Sequence, residues 1–376
     1  MTNPPTPSLR QAIPFWISLG LIPLAGCAAV FGGWALLLMP LGVMLVFGLV
    51  DLVVGQETAN LDPETPNEAL SWYRRVTLLW PLLQFLVLFG VLAYVTQTAH
   101  LSRIEEWALF VAIGFMNGAV GIVYAHELMH QKQKLERWLS DILMCMTVYG
   151  HFRSEHLLVH HRYVGTPRDP VTARYNENFY RFFIRVLWQC LRSAFRAERD
   201  MLARRSLPWW HRSNPFWRYW ALEVGFLLLA AAIGGWWGVW LFLTQAFIAV
   251  LYLELVNYME HYGLTREHLG EGRYEYVKPH HSWNSDAKVS NWLLINLQRH
   301  SDHHYKPDRR FPLLQTYASD EAPQLPLSYP IMGAAALIPP LWRRQMNPQV
   351  RNWRKQHYPH ISDWSAYKAA SNPMPR

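Results

Sequence analysis

Cysteine and charge are both scarce in this 376-residue sequence. The three cysteines, Cys27, Cys145 and Cys190, form no C-x-x-C pair. This excludes a disulfide framework, a zinc ribbon and an iron–sulfur or rubredoxin-type site. Only 16% of the residues are charged, against roughly 25% in an average soluble domain. Because hydrophobic residues make up 51%, a disordered or low-complexity chain is excluded as well.

The hydrophobic residues are concentrated in long uncharged runs, and about 20 apolar residues are needed to cross a bilayer. The sequence predicts one all-α integral membrane domain covering residues 1–376, with about six transmembrane helices. The predicted spans are residues 15–31, 34–50, 76–96, 107–125, 219–237 and 239–257. We expect residues 131–218 and 262–376 to form a cytoplasmic helical and loop cap, mostly irregular in the proline-rich stretch after Pro307.

Lysine and arginine indicate the orientation, because they accumulate in cytoplasmic loops. Residues 131–220 contain 16 Lys+Arg against 7 Asp+Glu, whereas the turn predicted around Gly32 and Gly33 has no charge. We therefore expect both termini and the basic segments on the cytoplasmic face of a bacterial inner membrane. No nucleic-acid-binding motif accompanies the arginines, so nucleic acid is not expected as a partner.

Nine of the 17 histidines fall in four clusters at or beyond the ends of predicted spans. They are His126, His130, His156, His160, His161, His261, His300, His303 and His304. His126 and His130 are four residues apart, which puts both on one helix face. With Glu127 they match the zinc-protease motif H-E-x-x-H. That site needs only about three protein ligands, so nine imidazoles favour two metals, and imidazole alone does not identify the metal.

Acidic residues accompany these clusters. Neutral imidazoles leave a metal's positive charge uncompensated, so nearby carboxylates are expected to orient ring N–H groups and to offset that charge. The candidates for this role are Glu127, Glu155, Glu260, Asp302 and Asp169. A solvated or helix-capping acid is the alternative for each of them.

Two further groups of residues invite a functional interpretation. His280 and His281 form a fifth cluster, for which we predict a structural or supporting role, with direct ligation left open. Val43, Phe47 and Asp51 follow at four-residue spacing in the second predicted span, which predicts one face of a substrate channel. Packing against lipid or another helix is the alternative for Val43 and Phe47, and a simple interfacial position is the alternative for Asp51.

The four boxes resemble those of the integral-membrane alkane 1-monooxygenases, the AlkB-type alkane hydroxylases of the membrane fatty acid desaturase and hydroxylase superfamily. The third and fourth boxes, NYMEHYGL at residues 257–264 and LQRHSDHH at residues 297–304, are the most specific. Gln131 and Val159 stand where the family usually has Lys and Gly, and neither change removes a ligand.

This resemblance implies a non-haem di-iron centre held by the nine histidines. It further implies hydroxylation of the terminal methyl of medium- to long-chain n-alkanes to 1-alkanols, with O2 as oxidant. Electrons would come from rubredoxin, supplied by a rubredoxin reductase, since the sequence shows no electron-carrier motif of its own. The basic surface suits an acidic partner, and it is equally explained by membrane topology and anionic headgroups.

Other functions remain open at this stage. A related hydroxylase of aromatic methyl groups, of the xylene type, and a fatty-acyl desaturase share the looser histidine pattern. A histidine-rich metal transporter is the alternative from another class. Its histidines should line the spans at membrane depth, whereas these lie beyond the predicted span ends.

Overall fold

The computed structural model describes residues 8–364, without the side chains of Met39, Val43 and Met44. Within this part the chain is mostly helical. The strands His268–Gly270 and Arg273–Tyr274 pair as a small antiparallel hairpin.

The helices differ in type, and their bounds are as follows. The α-helices are Leu9–Ala12, Leu21–Phe31, Leu38–Leu41, Phe47–Val54, Ser71–Thr98, Arg103–Met116, Ile122–Met129, Lys134–Met146, Phe152–Glu155, His161–Tyr163, Phe179–Ala203, Phe216–Glu260, Lys288–Leu293, His300–Tyr305, Tyr329–Ala336 and Pro339–His357. The 3-10 helices are Ile13–Gly20, Gly33–Leu37, Asn67–Leu70, Pro279–His281 and Phe311–Leu313. The π-helical turns are Gly42–Val46, Asn117–Gly121 and His156–His160.

Four helical stretches among residues 8–364 are long and apolar enough to cross a membrane, and we term them the candidate spans. They are Leu9–Phe31, Asn67–Thr98, Arg103–Met129 and Phe216–Glu260. Each contains one of the spans predicted from sequence, except that the last contains two. The predicted span 34–50 falls on short consecutive helices between Gly33 and Val54. The count of six spans stays a prediction.

The 45-residue helix Phe216–Glu260 reverses direction near its middle. Gly234 and Gly235 leave the helical conformation there, and Gly235 has a φ of 58°, which glycine adopts without a steric cost. A Cβ on Gly238 would clash with the carbonyl oxygen of Ala230, although eight residues of straight helix span about 12 Å. The two halves are therefore antiparallel, and residues 216 and 260 lie toward the same end of the bundle.

The candidate span Arg103–Met129 packs in backbone contact with the second half of this hairpin. A Cβ on Gly114 would lie 2.6 Å from the carbonyl oxygen of Gln245. The Nδ2 of Asn117 donates to the Oε1 of Gln245 at 2.7 Å. This close packing aligns the two helices, so that the histidines at their C-terminal ends can meet.

The segment after Pro307 is more regular than the sequence predicts, so the expectation of a mostly irregular stretch is wrong for residues 329–357. Two helices occupy it, Tyr329–Ala336 and Pro339–His357. Pro330, Pro339 and Pro340 lie in the first turns, where a helix needs no N–H donor, whereas Pro348 lies inside the longer helix. The longer helix is amphipathic, and its buried face consists of Trp342, Met346, Val350 and Trp353.

Candidate metal centre

The nine clustered histidines lie together at one end of the helix bundle, and eight of them form two compact groups. Within each group, one ligand atom per residue lies within 4.8 Å of all the others. The first group is His126, His130, His156 and His303. The second group is His160, His261, His300 and His304.

The ninth histidine, His161, lies between the groups. Its Nε2 is 3.0 Å from the Nε2 of His156 and 3.1 Å from the Nε2 of His303, both in the first group. Its ring centroid is also 4.7 Å from that of His304 in the second group. The structure thus brings all nine predicted ligands to one place.

The ring nitrogens are arranged as a metal requires. The Nε2 atoms of His130 and His156 are 3.0 Å apart, and those of His261 and His300 are 3.1 Å apart. Two nitrogens bound at right angles to one metal at about 2.1 Å lie about 3 Å apart. The Nε2 of His126 is buried without a hydrogen-bond partner. This set of nitrogen donors fits first-row transition metals.

The histidines outside the candidate spans are held in the neutral form that binds metal. Burial lowers the pKa of His156 and His303 far below the ordinary value, and the positive charge that neighbouring imidazoles would carry lowers it further. The same two causes lower the pKa of His300 and His304. Each ring therefore keeps a lone pair available at neutral pH.

A π-helical turn divides the second histidine box between the two groups. The backbone N–H of His161 donates to the carbonyl oxygen of His156, five residues earlier. In a regular α-helix, residues four apart share a face, but the wider π-turn places His156 beside His161. His160 points the other way and joins the second group.

The helix His300–Tyr305 supplies both groups as well. His300 and His304 are one α-helical turn apart and both belong to the second group, whereas His303 belongs to the first. The Nε2 atoms of His300 and His304 lie 3.0 Å apart. One short helix thereby ties the two groups into a single site.

Two of the predicted acids contact these imidazoles. The Oδ2 of Asp169 lies 2.9 Å from the Nδ1 of His160 and also accepts a hydrogen bond from the Oγ1 of Thr172 at 2.6 Å. The Oε2 of Glu260 lies 3.3 Å from the Nε2 of His300. Asp169 contacts the nitrogen of His160 that is turned away from the other imidazoles, and a carboxylate there fixes the orientation of the ring and raises its basicity. Glu260 instead lies at the nitrogen of His300 that faces His261 and His304.

An apolar cavity adjoins the histidines and has a volume of about 370 Å³, solvent-open space included. Its lining combines residues of the candidate span Arg103–Met129 with residues of the second half of the hairpin. The apolar lining comes from Gly118, Ile122, Val123, Phe152, Leu253, Val256 and Leu297, and the polar lining from His126, His156, Asn257, Glu260 and His300. Because these histidines come from both groups, the cavity ends where the two groups meet.

Comparison with known proteins gives the family. Residues 105–335 match the model of the fatty acid desaturase family. The chain is 39% identical over 318 residues to alkane 1-monooxygenase 2 of Pseudomonas aeruginosa, covering 82% of this chain and 83% of that protein. The chain belongs to the alkane 1-monooxygenase family.

More distant relatives agree with this assignment. Alkane 1-monooxygenase 2 of Alcanivorax borkumensis is 33% identical over 357 residues, 90% of each chain. The hydroxylase component XylM of the xylene/toluene monooxygenase of Pseudomonas putida is 28% identical over 272 residues, 71% of each chain. The resemblance drawn from the histidine boxes is thus confirmed, as is the inference that the chain is an enzyme.

Glu127 and Asp302 were predicted from the sequence to lie beside the metals. In the structure both acids contact arginines instead of ligand rings. Glu127 accepts hydrogen bonds from Gln131 and from the backbone N–H of Phe311. Asp302 accepts two bonds of 2.6 Å from Arg309 and one of 2.6 Å from Tyr317. Glu127 also lies 3.8 Å from Arg310. Both acids therefore fasten the segment 309–317 to the histidine-bearing helices.

Glu155 differs from the other acids. It is fully buried, and neither carboxylate oxygen has a hydrogen-bond partner within the described chain. Burial raises its pKa well above the ordinary value, and the negative charges of Asp169 and Glu254 raise it further. These surroundings disfavour the charged form of Glu155.

The fifth cluster, His280 and His281, lies outside the nine-histidine site and beside Glu275. The backbone N–H of Lys278 donates to the Nδ1 of His281 at 2.8 Å, so the neutral ring carries its proton on Nε2. That Nε2 lies 2.7 Å from the hydroxyl oxygen of Tyr358, which donates to Glu275. Both nitrogens of His281 are engaged with protein groups, which favours the structural role over ligation.

The predicted channel residues are only partly described. The side chain of Val43 lies outside the described residues, and Phe47 is half-buried against the hydrophobic core. Asp51 is buried within the protein, and its position relative to the membrane interface stays a prediction. Its Oδ1 accepts hydrogen bonds from the backbone N–H groups of Val289 and Ser290, at the start of a helix. A carboxylate there satisfies donors that the helix itself leaves unpaired.

A second, open pocket adjoins the metal centre at His130. It encloses about 640 Å³, solvent-open space included, and its lining contains His130, one of the half-buried ligand candidates. Lys132, Arg137 and Arg153 make this lining basic, with Asp308 as the acid. No sequence motif indicated either cavity, because each is formed by residues far apart along the chain.

Proposed function

We propose that this protein is a membrane-bound di-iron monooxygenase that hydroxylates the terminal methyl group of medium- to long-chain n-alkanes to 1-alkanols. The nine histidines would hold two iron ions, with His161 between them. When bound, the pair of irons supplies the reductive activation of O2 and the insertion of one oxygen atom into a C–H bond. The names of the relatives support the substrate and the reaction.

The observation that carries this proposal is the apolar cavity that ends between the two histidine groups. An alkane offers no group for hydrogen bonding, so a protein can select it only by shape and by apolar burial, worth roughly 0.8 kcal/mol per CH2. Ile122, Leu253 and Val256 supply such a wall. They belong to two adjacent candidate spans, so an alkane dissolved in the bilayer would enter between them.

The surrounding residues orient the site. Asp169 accepts the Nδ1 proton of His160, which directs the Nε2 lone pair of that ring into the second group. Glu260 accepts a hydrogen bond from Tyr329 at 3.0 Å and faces the cavity beside His300. Leu297 and Phe152 exclude water from the end at which the methyl group would lie.

We further propose rubredoxin as the electron donor, with a rubredoxin reductase upstream. The sequence contains no cysteine cluster or nucleotide-binding motif that could carry electrons. The basic opening at His130 is suited to an acidic partner, because complementary charge steers association. In this proposal the opening, the cap and both termini face the cytoplasm, and the six predicted spans lie in the bacterial inner membrane.

The reaction is tested by product analysis. Purified protein loaded with iron, together with rubredoxin, reductase and NAD(P)H, is given a series of n-alkanes under ¹⁸O2. We expect 1-alkanols carrying one ¹⁸O atom, and no product when rubredoxin is omitted. Production of xylene-derived alcohols or of desaturated acyl chains, with no alkanol, would contradict the proposed substrate.

The position of the substrate is tested by narrowing the cavity. Leu253→Phe adds an aromatic ring to the wall, so we expect the preferred alkane to become shorter by several carbons. Leu251→Phe is the matched control, because Leu251 lies on the same helix and does not line the cavity. An identical product profile for both variants would show that the alkane lies elsewhere.

A further inference from the structure

The helix Phe179–Ala203, termed here the interfacial helix, is apolar on two faces. One face packs on the protein through Phe182, Val186 and Cys190. The second face is exposed to solvent at residues spaced four, four and three apart, which is one stripe of an α-helix. Its exposed fractions are 53% for Tyr180, 74% for Ile184, 60% for Trp188 and 39% for Leu191.

The two ends of this helix contact the two halves of the hairpin Phe216–Glu260. Near its start, the ring centroid of Phe183 lies 6.0 Å from that of Phe247, and Phe247 is exposed on the second half of the hairpin. Near its end, Phe195 lies 5.2 Å from Phe216, the first residue of the first half. The interfacial helix is therefore continuous, through buried contacts, with a candidate span whose second half is exposed at Phe247.

Tryptophans cluster where the interfacial helix leads into the hairpin. Trp209 and Trp217 stack with their rings 6.3 Å apart. Trp210 and Trp220 are exposed beside them. Tryptophan is enriched where membrane meets water, because its ring is apolar and its N–H is polar.

Basic residues flank the exposed stripe. Arg181, Arg192 and Arg196 are exposed on the interfacial helix, and the guanidinium of Arg192 lies 5.2 Å above the ring of Trp188. The following residues 201–222 contain four arginines and no aspartate or glutamate. A helix with an apolar stripe of this composition and a basic flank is typical of one that lies in the plane of the membrane interface.

We propose that the interfacial helix and the tryptophan cluster bind anionic phospholipids of the leaflet on the histidine side of the membrane. The apolar stripe would lie among the acyl chains and the arginines among the phosphates. Continuity with a candidate span favours lipid over a water-soluble protein partner for this face. The proposal does not depend on the metal or on the substrate.

Lipid held here would also fix the position of the metal centre. The Oγ of Ser154, just before the π-turn, donates to Glu198 of the interfacial helix at 2.6 Å. Arg185 donates to the carbonyl oxygen of Pro170, next to Asp169, at 2.8 Å. The helix thus connects the leaflet surface to two segments that carry ligands or their partners.

The test measures lipid selectivity with the full-length protein in phosphatidylcholine nanodiscs. Electron paramagnetic resonance compares the bound fractions of spin-labelled phosphatidylglycerol and spin-labelled phosphatidylcholine. For Arg192→Gln/Arg196→Gln we expect the selectivity for phosphatidylglycerol to fall about tenfold, because each arginine near an anionic surface contributes to binding. Arg273→Gln/Lys355→Gln removes the same charge from exposed positions elsewhere in the cap and should leave selectivity unchanged.

A second variant keeps the test independent of charge. Ile184→Ser/Trp188→Ser removes the apolar stripe, and we expect it to lower the bound fraction of both lipids. Unchanged selectivity in the arginine variant would overturn the proposal. If that unchanged selectivity were accompanied by a raised KM for rubredoxin, the face would be assigned to protein docking instead.

Discussion

Residues 8–364 contain two buried histidine clusters, and they differ in what their ring nitrogens face. In the nine-histidine site, ring nitrogens face one another at 3.0 to 3.2 Å, and the Nε2 of His126 has no protein partner. In the cluster around His281, each ring nitrogen of that residue faces a protein group. Histidine density alone does not make a metal site; unpaired nitrogens that converge do.

The sharpest way to break this comparison is to remove one histidine from each cluster. We expect His303→Ala to lose metal and to reduce alkane turnover more than about 100-fold, since outer partners alone are worth 10- to 100-fold. His280→Ala should keep its metal and most of its activity. Metal content by mass spectrometry and 1-octanol formation from octane measure both effects. Equal loss of metal in the two variants would indicate that both clusters belong to one metal site.

Asp169 is the acid whose loss should matter most. Asp169→Asn keeps the shape but weakens the bond to the Nδ1 of His160, so we expect metal affinity or activity to fall about 10- to 100-fold. Asp302→Asn is the control, because Asp302 bonds to Arg309 and Tyr317. It should lower the melting temperature while the folded fraction retains its metal. A larger loss of metal in Asp302→Asn would contradict these positions.

The resemblance of the histidine boxes to those of the alkane 1-monooxygenases was sufficient to predict which nine side chains come together, whereas spacing within a box relates only residues of one helix. They did not predict how the nine divide. His156 pairs with His161 rather than with His160 only because a π-turn interrupts the helix, and the residue pattern does not show where one extra residue is accommodated.

The acids show a second limit of sequence reasoning. Consecutive residues on a helix point about 100° apart, so Glu127 and Asp302, each next to a ligand, turn toward arginines instead. Asp169 is eight residues beyond His161 along the chain, yet it contacts a ligand ring. The helical character of the bundle was predictable from hydropathy, whereas these contacts depend on how the loops of the cap fold back.

The second cluster can be tested through its hydroxyl group. Tyr358→Phe removes the hydroxyl group between His281 and Glu275, and leaves the Nε2 of His281 with the Oε1 of Glu275 at 3.4 Å. We expect a loss of about 1 kcal/mol in the free energy of unfolding, the net contribution of a typical hydrogen bond, and no change in metal content. Tyr276→Phe is the control, because Tyr276 is 89% exposed. Metal loss in Tyr358→Phe would link the two clusters.

The smallest expected effect is the part that His280 contributes to the dependence of stability on pH, in addition to the part contributed by the buried histidines of the metal centre. Burial lowers the pKa of His280 from 6.5 to about 3, and the positive charges of His281 and His357 lower it further. Between these two pH values the unfolded chain binds a proton that the folded chain does not. The contribution of His280 to stability is therefore fully present above about pH 6.5 and is lost as the pH is lowered toward 3. Near pH 5 we expect a loss of about 1 kcal/mol, reduced from the full linkage value because the ring is partly exposed to solvent.

His280→Gln should flatten the fall in melting temperature between pH 7 and pH 5, whereas His360→Gln, at an exposed histidine, should not. If the slope of His280→Gln equalled that of the unmodified protein, His280 would contribute nothing to the acid sensitivity, and the assignment of this effect to the second cluster would fail.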